Sequence, residues 1–368
     1  MQLPAFSPPR PWADLVDWGK PAKSKEPQRL LDGIAKALML DAEWTVRSPL
    51  HLQWWAGPFP LNVTAFGPKK CLGRPTVKLQ FHVNLLHDVT ASQDEVLELL
   101  AARNAVASTG AVAWVPKEKR VIATMTHYSN PQTGALDSLL PALALLMYTE
   151  VLGIMFQGDI VGLLGGKPAF EPHPQSGMRM TSDALTQVTD QEVIPAGAKG
   201  NAFVGSDFAS ISEHGGPFEL YSTADDQGCT AEFPFSSSIP PALASALGRK
   251  PMGLTAMAQM MAMRHPGYGQ GLTGLLHVPE DGSPAKIRET ANRLNLLEFT
   301  MGTGFPAWGA WTTQGDRGTL THASFIPNAY ARKGLPSFLM WVEYLRSQWA
   351  QEVLLPQEVV KQVRAGAR

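Results

Sequence analysis

The sequence predicts an α+β protein that builds one plan twice, α-β-β-β-α-β-β-α, with a Gly/Pro-rich stretch between the copies. Three observations predict it. Apolar residues recur at helical spacing in some segments and alternate with polar ones in others, the signatures of amphipathic helix and half-buried strand. The order of those segments repeats after residue 217. At 368 residues the chain suits two domains of roughly 150 residues rather than one core.

Residues 1–27 are rich in Pro, Trp and Lys and read as an irregular arm. Residues 28–40 carry Leu30, Leu31, Ile34, Ala37 and Leu38 at helical spacing. Three apolar runs follow at 50–56, 59–66 and 76–86, separated by Gly57-Pro58 and by residues 67–75. In the third, Val77, Leu79, Phe81, Val83 and Leu85 alternate with Lys78, Gln80, His82 and Asn84, which is the period of a strand with one face buried. Ser92 and Glu95 form a capping box ahead of Val96, Leu99 and Leu100. Residues 110–115 and 120–128 flank a charged turn and read as a hairpin. Leu136–Phe156 closes the first half as a long apolar helix.

Residues 158–216 contain Gly162, Gly165, Gly166, Pro168, Pro172 and Pro174 and read as a linker with some structure, including a short helix over 182–194. Residues 217–368 then replay the plan. Strand candidates at 218–221 and 229–235 surround Asp225-Asp226-Gln227-Gly228, and 254–264 pairs with 270–278. A helix opens at Ser283-Pro284, a hairpin joins 305–312 to 319–325, and Leu335–Leu354 closes the half. Residue matches accompany the pattern: Arg103-Asn104 against Arg293-Leu294-Asn295, Gly110 and Trp114 against Gly304 and Trp308, His127 against His322, and Leu136-x-Ser138 against Leu335-x-Ser337. Order and matches together favour a duplication.

On Ala291-Asn292-Arg293-Leu294-Asn295, Gly304 and Trp308 before a two-stranded turn, the second half resembles the YbjN-like branch of the type III secretion chaperone-like superfamily. The first half is similar in its order of elements. The resemblance spans residues 28–156 and 217–355. It implies a strongly bent antiparallel sheet with helices on one side, usual assembly as a homodimer, and non-enzymatic protein binding. A tandem copy would then form an internal pseudo-dimer. The near-neutral charge departs from the acidic balance common among secretion chaperones.

Composition excludes several classes. Net charge is −1, 44% of residues are hydrophobic and 17% charged, with no basic stripe for nucleic acid and no polybasic segment for a membrane surface. Cys71 and Cys229 are the two cysteines, too few for a disulfide framework and not spaced as metal ligands. No basic-then-apolar leader opens the chain, so the cytoplasm is the expected compartment. The 136–156 segment is long enough to span a bilayer, but Pro141, Tyr148, Thr149 and Glu150 favour a buried helix.

No motif carries chemistry, and no cofactor is expected. The nine histidines are scattered, and a zinc site from His82, His87 and His127 loses to ordinary polar-face positions. Residues 162–167 fail the phosphate-loop pattern, with Val161 where glycine is needed and Pro168 in place of Ser or Thr. The more suggestive features are apolar. Met257, Gln259, Met261 and Met263 share one face of a strand and Met260 the other. Methionine adapts to varied partners as well as to cores. Trp54 and Trp55 are adjacent, so one must point away from the sheet's core face, where tryptophan suits an interface. The expected function is a non-catalytic protein- or peptide-binding module, with Trp54, Trp55, Met257, Met261 and Met263 as candidate partner-binding residues and a homodimer possible. The alternative is an enzyme or small-ligand binder with a pocket between the halves, drawing on His127, His322 or the Asp225 loop.

Overall fold

The computed structural model describes residues 24–188 apart from 72, 107–108, 132 and 157–158, residue 208, residues 222–234, and residues 255–354 apart from 281, 302, 315–318 and 329–333. The N-terminal arm up to residue 23, the strand candidate at 218–221, most of 189–216 and residues 355–368 lie outside the described residues.

The first half runs α1 (Glu26–Ala37), β1 (Thr45–Ser48), β2 (His51–Trp55), β3 (Pro60–Cys71), β4 (Arg74–His87), α2 (Gln93–Asn104), β5 (Ala111–Val115), β6 (Arg120–Ser129) and α3 (Leu140–Phe156). Next come α4 (Ile160–Leu164), β7 (Lys167–Pro168) and α5 (Ala184–Val188). The second half runs β8 (Ser222–Ala224), β9 (Gly228–Pro234), β10 (Thr255–His265), β11 (Gly269–Val278), α6 (Pro284–Thr300), β12 (Ala310–Gln314), β13 (Thr319–Pro327) and α7 (Leu335–Leu354). The protein is thus α+β, with seven α-helices and two antiparallel sheets among the described residues.

Local chemistry explains the boundaries. Ser92 accepts from the Glu95 backbone while the Glu95 carboxylate receives the Ser92 N–H at 2.8 Å, the reciprocal pair that starts α2. Ser283 accepts from Lys286 N, and Pro284, which lacks an N–H to lose, opens α6. β4 buries Val77, Leu79, Phe81, Val83 and Leu85 in alternation, against the inner residues of β3 and α3.

The two sheets have one topology. The first is ordered β1-β2-β3-β4-β6-β5, with β7 added at the end of β4, and the second β8-β9-β10-β11-β13-β12. Element for element, in chain order, these are the same path. The register corrects the residue matches, however. Ala111 pairs with Thr124 and Ala310 with Ala323, so the counterpart of Gly110 is Gly309, not Gly304. A Cβ on Gly110 would lie 3.0 Å from the Thr124 carbonyl oxygen, and one on Gly309, at φ +97°, 2.3 Å from that of Ala323. By the same register His322 matches Ala123 and Trp114 matches Thr313. The expected strand at 305–312 shortens to Ala310–Gln314 because Pro306 cannot donate to a ladder. Ala307 meanwhile leaves to pair with Thr126 of the first half.

The halves interlock. α2 and α6 pack on each other, and each also touches both edge strands, β5 and β12. One contiguous apolar core runs from Leu31 to Ala350 through both sheets. Segment 136–156 is the one described helix long and apolar enough to cross a membrane, and over half of its most apolar window is buried within the protein.

Candidate functional site

The outer face of β10 carries the predicted methionine row. Ala256, Ala258 and Met260 point into the core, while Met257 and Met261 are half-buried and Met263 is 44% exposed on the opposite side. Across β11 this row faces His277, Leu275 and Thr273: Met257 pairs with His277, Gln259 with Leu275 and Met261 with Thr273. The result is a pleated apolar surface with a hydroxyl and an imidazole at its margin, and burial holds His277 below the usual histidine range.

Trp54 and Trp55 do point to opposite sides of their sheet, but both are inside the protein, 1% and 0% exposed. The expected interface role is therefore corrected. Trp54 joins the core beside Tyr148. Trp55 is roofed by residues 169–183, which return over the far face of the sheet. Its indole N–H donates to the Glu171 carbonyl at 2.8 Å, His173 meets it edge-on, and Arg179 donates to the Trp55 backbone carbonyl at 2.7 Å.

The described histidines do not converge on one site. His82 packs edge-on against Phe299, held down near 4 by burial and by His51 and Arg120. His87 is half-exposed beside Asp88, and His127 pairs with Asp137 at 2.9 Å and stacks on Trp308. His322 lies 3.2 Å from Glu343. Asp225 accepts from the N–H groups of Gln227 and Gly228 and so ties a turn. Among the described residues, no three His, Cys, Asp or Glu side chains are placed to share a metal ion.

Two clusters at the seam escaped the sequence reading. Lys78 of β4, 1% exposed, donates to the carbonyls of Phe299, Thr300 and Met301 at 2.9, 3.4 and 3.0 Å. These are the free carbonyls at the α6 C-terminus, where a cation also meets the negative end of the helix dipole. Burial still pulls the ammonium down to about 7. Tyr128 beside it accepts from Thr303 N at 2.9 Å, and burial pushes its phenol upward.

The second cluster is ionic. Arg346 of α7, wholly buried, donates to Glu298 at 2.9 Å, to Glu343 at 2.7 Å and to the Pro306 carbonyl at 2.8 Å. Trp311 donates its indole N–H to Glu298 at 2.9 Å. Burial pushes the Glu343 carboxyl up, but Arg346 and His322 outweigh it and hold the group below the usual carboxylate range. The only sequence trace of this network is Glu343 and Arg346 one helical turn apart in an otherwise apolar helix. Beside Glu298, the seam leaves a crevice of about 10 Å³, room for about one water molecule and far below an ordinary ligand pocket.

The chain matches no protein-family model, no curated protein and no solved structure.

Proposed function

We propose that this chain is a non-catalytic protein- or peptide-binding module, two chaperone-like repeats joined as an internal pseudo-dimer. The methionine face of β10 and β11 is its binding surface, and the cytoplasm its compartment. The observation that carries the reading is the outward row of Met257, Met261 and Met263 beside Leu275, partly open on a sheet whose other face is filled by core. Unbranched thioether side chains re-pack against different partners at little cost, which suits a surface that takes varied apolar segments. The shared strand order of the two sheets supports the pseudo-dimer. The reciprocal packing of α2 and α6 on both edge strands supports it too.

The test uses the full chain labelled with ¹³C at the methionine methyls and titrated with extended apolar peptides selected against it by display. Signals of Met257, Met261 and Met263 are expected to move while those of the buried Met125, Met147 and Met260 stay in place. Met261→Glu with Met263→Glu is expected to weaken binding by about tenfold or more, close to 1.4 kcal/mol, with the melting temperature unchanged. Selected peptides that bind the double variant as tightly as the parent would remove the surface from consideration, and with it the reading.

A further inference from the structure

Two stretches of the chain share the pattern His-Pro-x-x-Gly, at residues 173–177 and 265–269, and both fold into the same turn. In each the histidine pairs with the glycine, which has a φ of +78° or +72°. In each, too, the histidine Nδ1 meets the backbone N–H groups two and three residues on. The distances are 3.3 and 3.1 Å at His173, and 3.0 and 3.2 Å at His265. Backbone N–H groups only donate, so Nδ1 accepts from both and the proton of a neutral ring sits on Nε2. At His265 that Nε2–H also crosses the seam, donating at 2.7 Å to the Val106 carbonyl just past the α2 C-terminus. The halves thus exchange caps: Lys78 of the first closes the end of α6, and His265 of the second closes the end of α2. We propose that His265 is a pH-operated latch, whose neutral ring holds the tip of the β10–β11 hairpin against α2 and whose protonation releases it.

A second proton has to go on Nδ1, which turns an acceptor of two bonds into a donor facing two donors. The turn must then open, and the ring must leave its packing on Tyr268 and Phe325, whose centroids are 4.6 and 4.7 Å away. Burial also holds the imidazole below the usual histidine range, with the bond to Val106 acting the other way. Charge on the surrounding elements does not reverse this. Arg103 in the last turn of α2 is a cation, and the acids Asp94, Glu95 and Glu98 stand two or more turns before Val106. Arg264 projects from the opposite side of β10. His277 lies at the far end of β11, and His322 on the opposite face of β13 from Phe325. The Tyr268 phenol is the other titratable group of the turn. With the latched value below the 6.5 of a free imidazole, the latch is fully closed above that pH and yields as pH falls beneath it. It works whether or not the methionine face takes a partner.

Imidazole and amide ¹H–¹⁵N spectra of the full chain, recorded from about pH 8 down to about pH 4.5, test this. At the alkaline end His265 is expected as the Nε2–H tautomer, with a nuclear Overhauser contact to Val106. On acidification the ring should titrate below 6.5. The Gly267 and Tyr268 amide signals should move with the same midpoint and the Val106 contact should fade, while the carboxamide signals of Asn104 and Asn295 stay in place. His265→Asn keeps an acceptor for the two turn N–H groups, as an Asx turn does, but takes up no proton. Its turn amides are therefore expected to hold still across the whole range. A proton on Nδ1 at the alkaline end would overturn the latch, and so would a ring still neutral at the acid end. A ring that titrates without moving the turn amides would overturn it as well. So would acid shifts shared by the two carboxamides, or turn amides that still respond to pH in His265→Asn.

Discussion

Lys78 shows how far a side chain's surroundings can depart from its place in a pattern. It sits among Gln80, His82 and Asn84 on the polar-looking side of β4, yet the α6 C-terminus closes over it. The sequence reading fails there for a physical reason. Alternation reports which side of a sheet a residue occupies, and is silent on what a distant segment lays across that side. The same reason explains Trp55, which does leave the core face as adjacency demands but meets residues 169–183 instead of solvent. The lowered ammonium has a consequence in pH. Folding brings Lys78 from 10.5 to about 7, so between those values the unfolded chain holds a proton that the folded chain has released. Stability contributed through this group therefore rises with pH across that window and is at its lowest below about 7. Cys229, held up near 12 by burial, acts in the opposite direction above the usual thiol range, so the difference between parent and Lys78→Met isolates the lysine. Urea unfolding from pH 6 to 10 is expected to show the parent gaining on the variant as pH rises. At pH 7 the variant should be weaker by about 1–3 kcal/mol, because it strands three helix-end carbonyls. A pH-independent difference would contradict the buried, shifted amine.

Helices α2 and α6 are each pinned to an edge strand by one asparagine. Asn104 receives Val112 N–H at 2.8 Å and donates to the Val112 carbonyl at 2.9 Å. Asn295 does the same to Trp311 at 2.7 and 2.9 Å. Of the residue matches drawn from sequence, this pair occupies equivalent structural positions, while the glycine, tryptophan and histidine matches slip. The difference is physical: a carboxamide can pair with both backbone groups of one residue, which fixes the helix against the strand end. The connection into β12 has no such tie at Gly304 and instead detours through Ala307 to the other half. Order and type of most elements were legible, down to the Ser92–Glu95 box. β1 was not, because four residues of Thr45–Ser48 with no buried side chain carry no apolar alternation. Replacing Asn295 with Leu leaves the Trp311 N–H buried and unpaired, so it is expected to cost about 1–3 kcal/mol, and Asn104→Leu a similar amount. Because Asn104 also reaches the Trp311 carbonyl at 3.5 Å, the double variant should cost less than the sum of the two. Denaturant unfolding of the three variants measures this, and a strictly additive pair would show that the two clamps act separately.

Contacts across the seam tie the two sheets together. Asn292 of α6 receives Trp114 N–H at 2.8 Å and donates to the Trp114 carbonyl at 3.0 Å, reaching from the second half to the edge strand of the first. Thr312 of β12, also from the second half, donates to the Ala101 carbonyl of α2 at 2.6 Å. Ala307 extends the β6 ladder, and Lys78 caps α6. These ties join parts of the chain far apart in sequence, and the apolar core is continuous beneath them. A half that opened alone would expose edge strands and strand buried polar groups on both sides, so partial unfolding is disfavoured. Asn292→Ala removes one tie without touching either sheet's own ladder. It is expected to lower global stability by about 1–3 kcal/mol while unfolding stays a single transition. Hydrogen exchange in β4 and in β11 should accelerate together, since both report the same global opening. Faster exchange confined to one sheet, or a melt split into two steps, would mean that the halves fold as separate bodies. The seam would then be a contact between domains rather than part of one core.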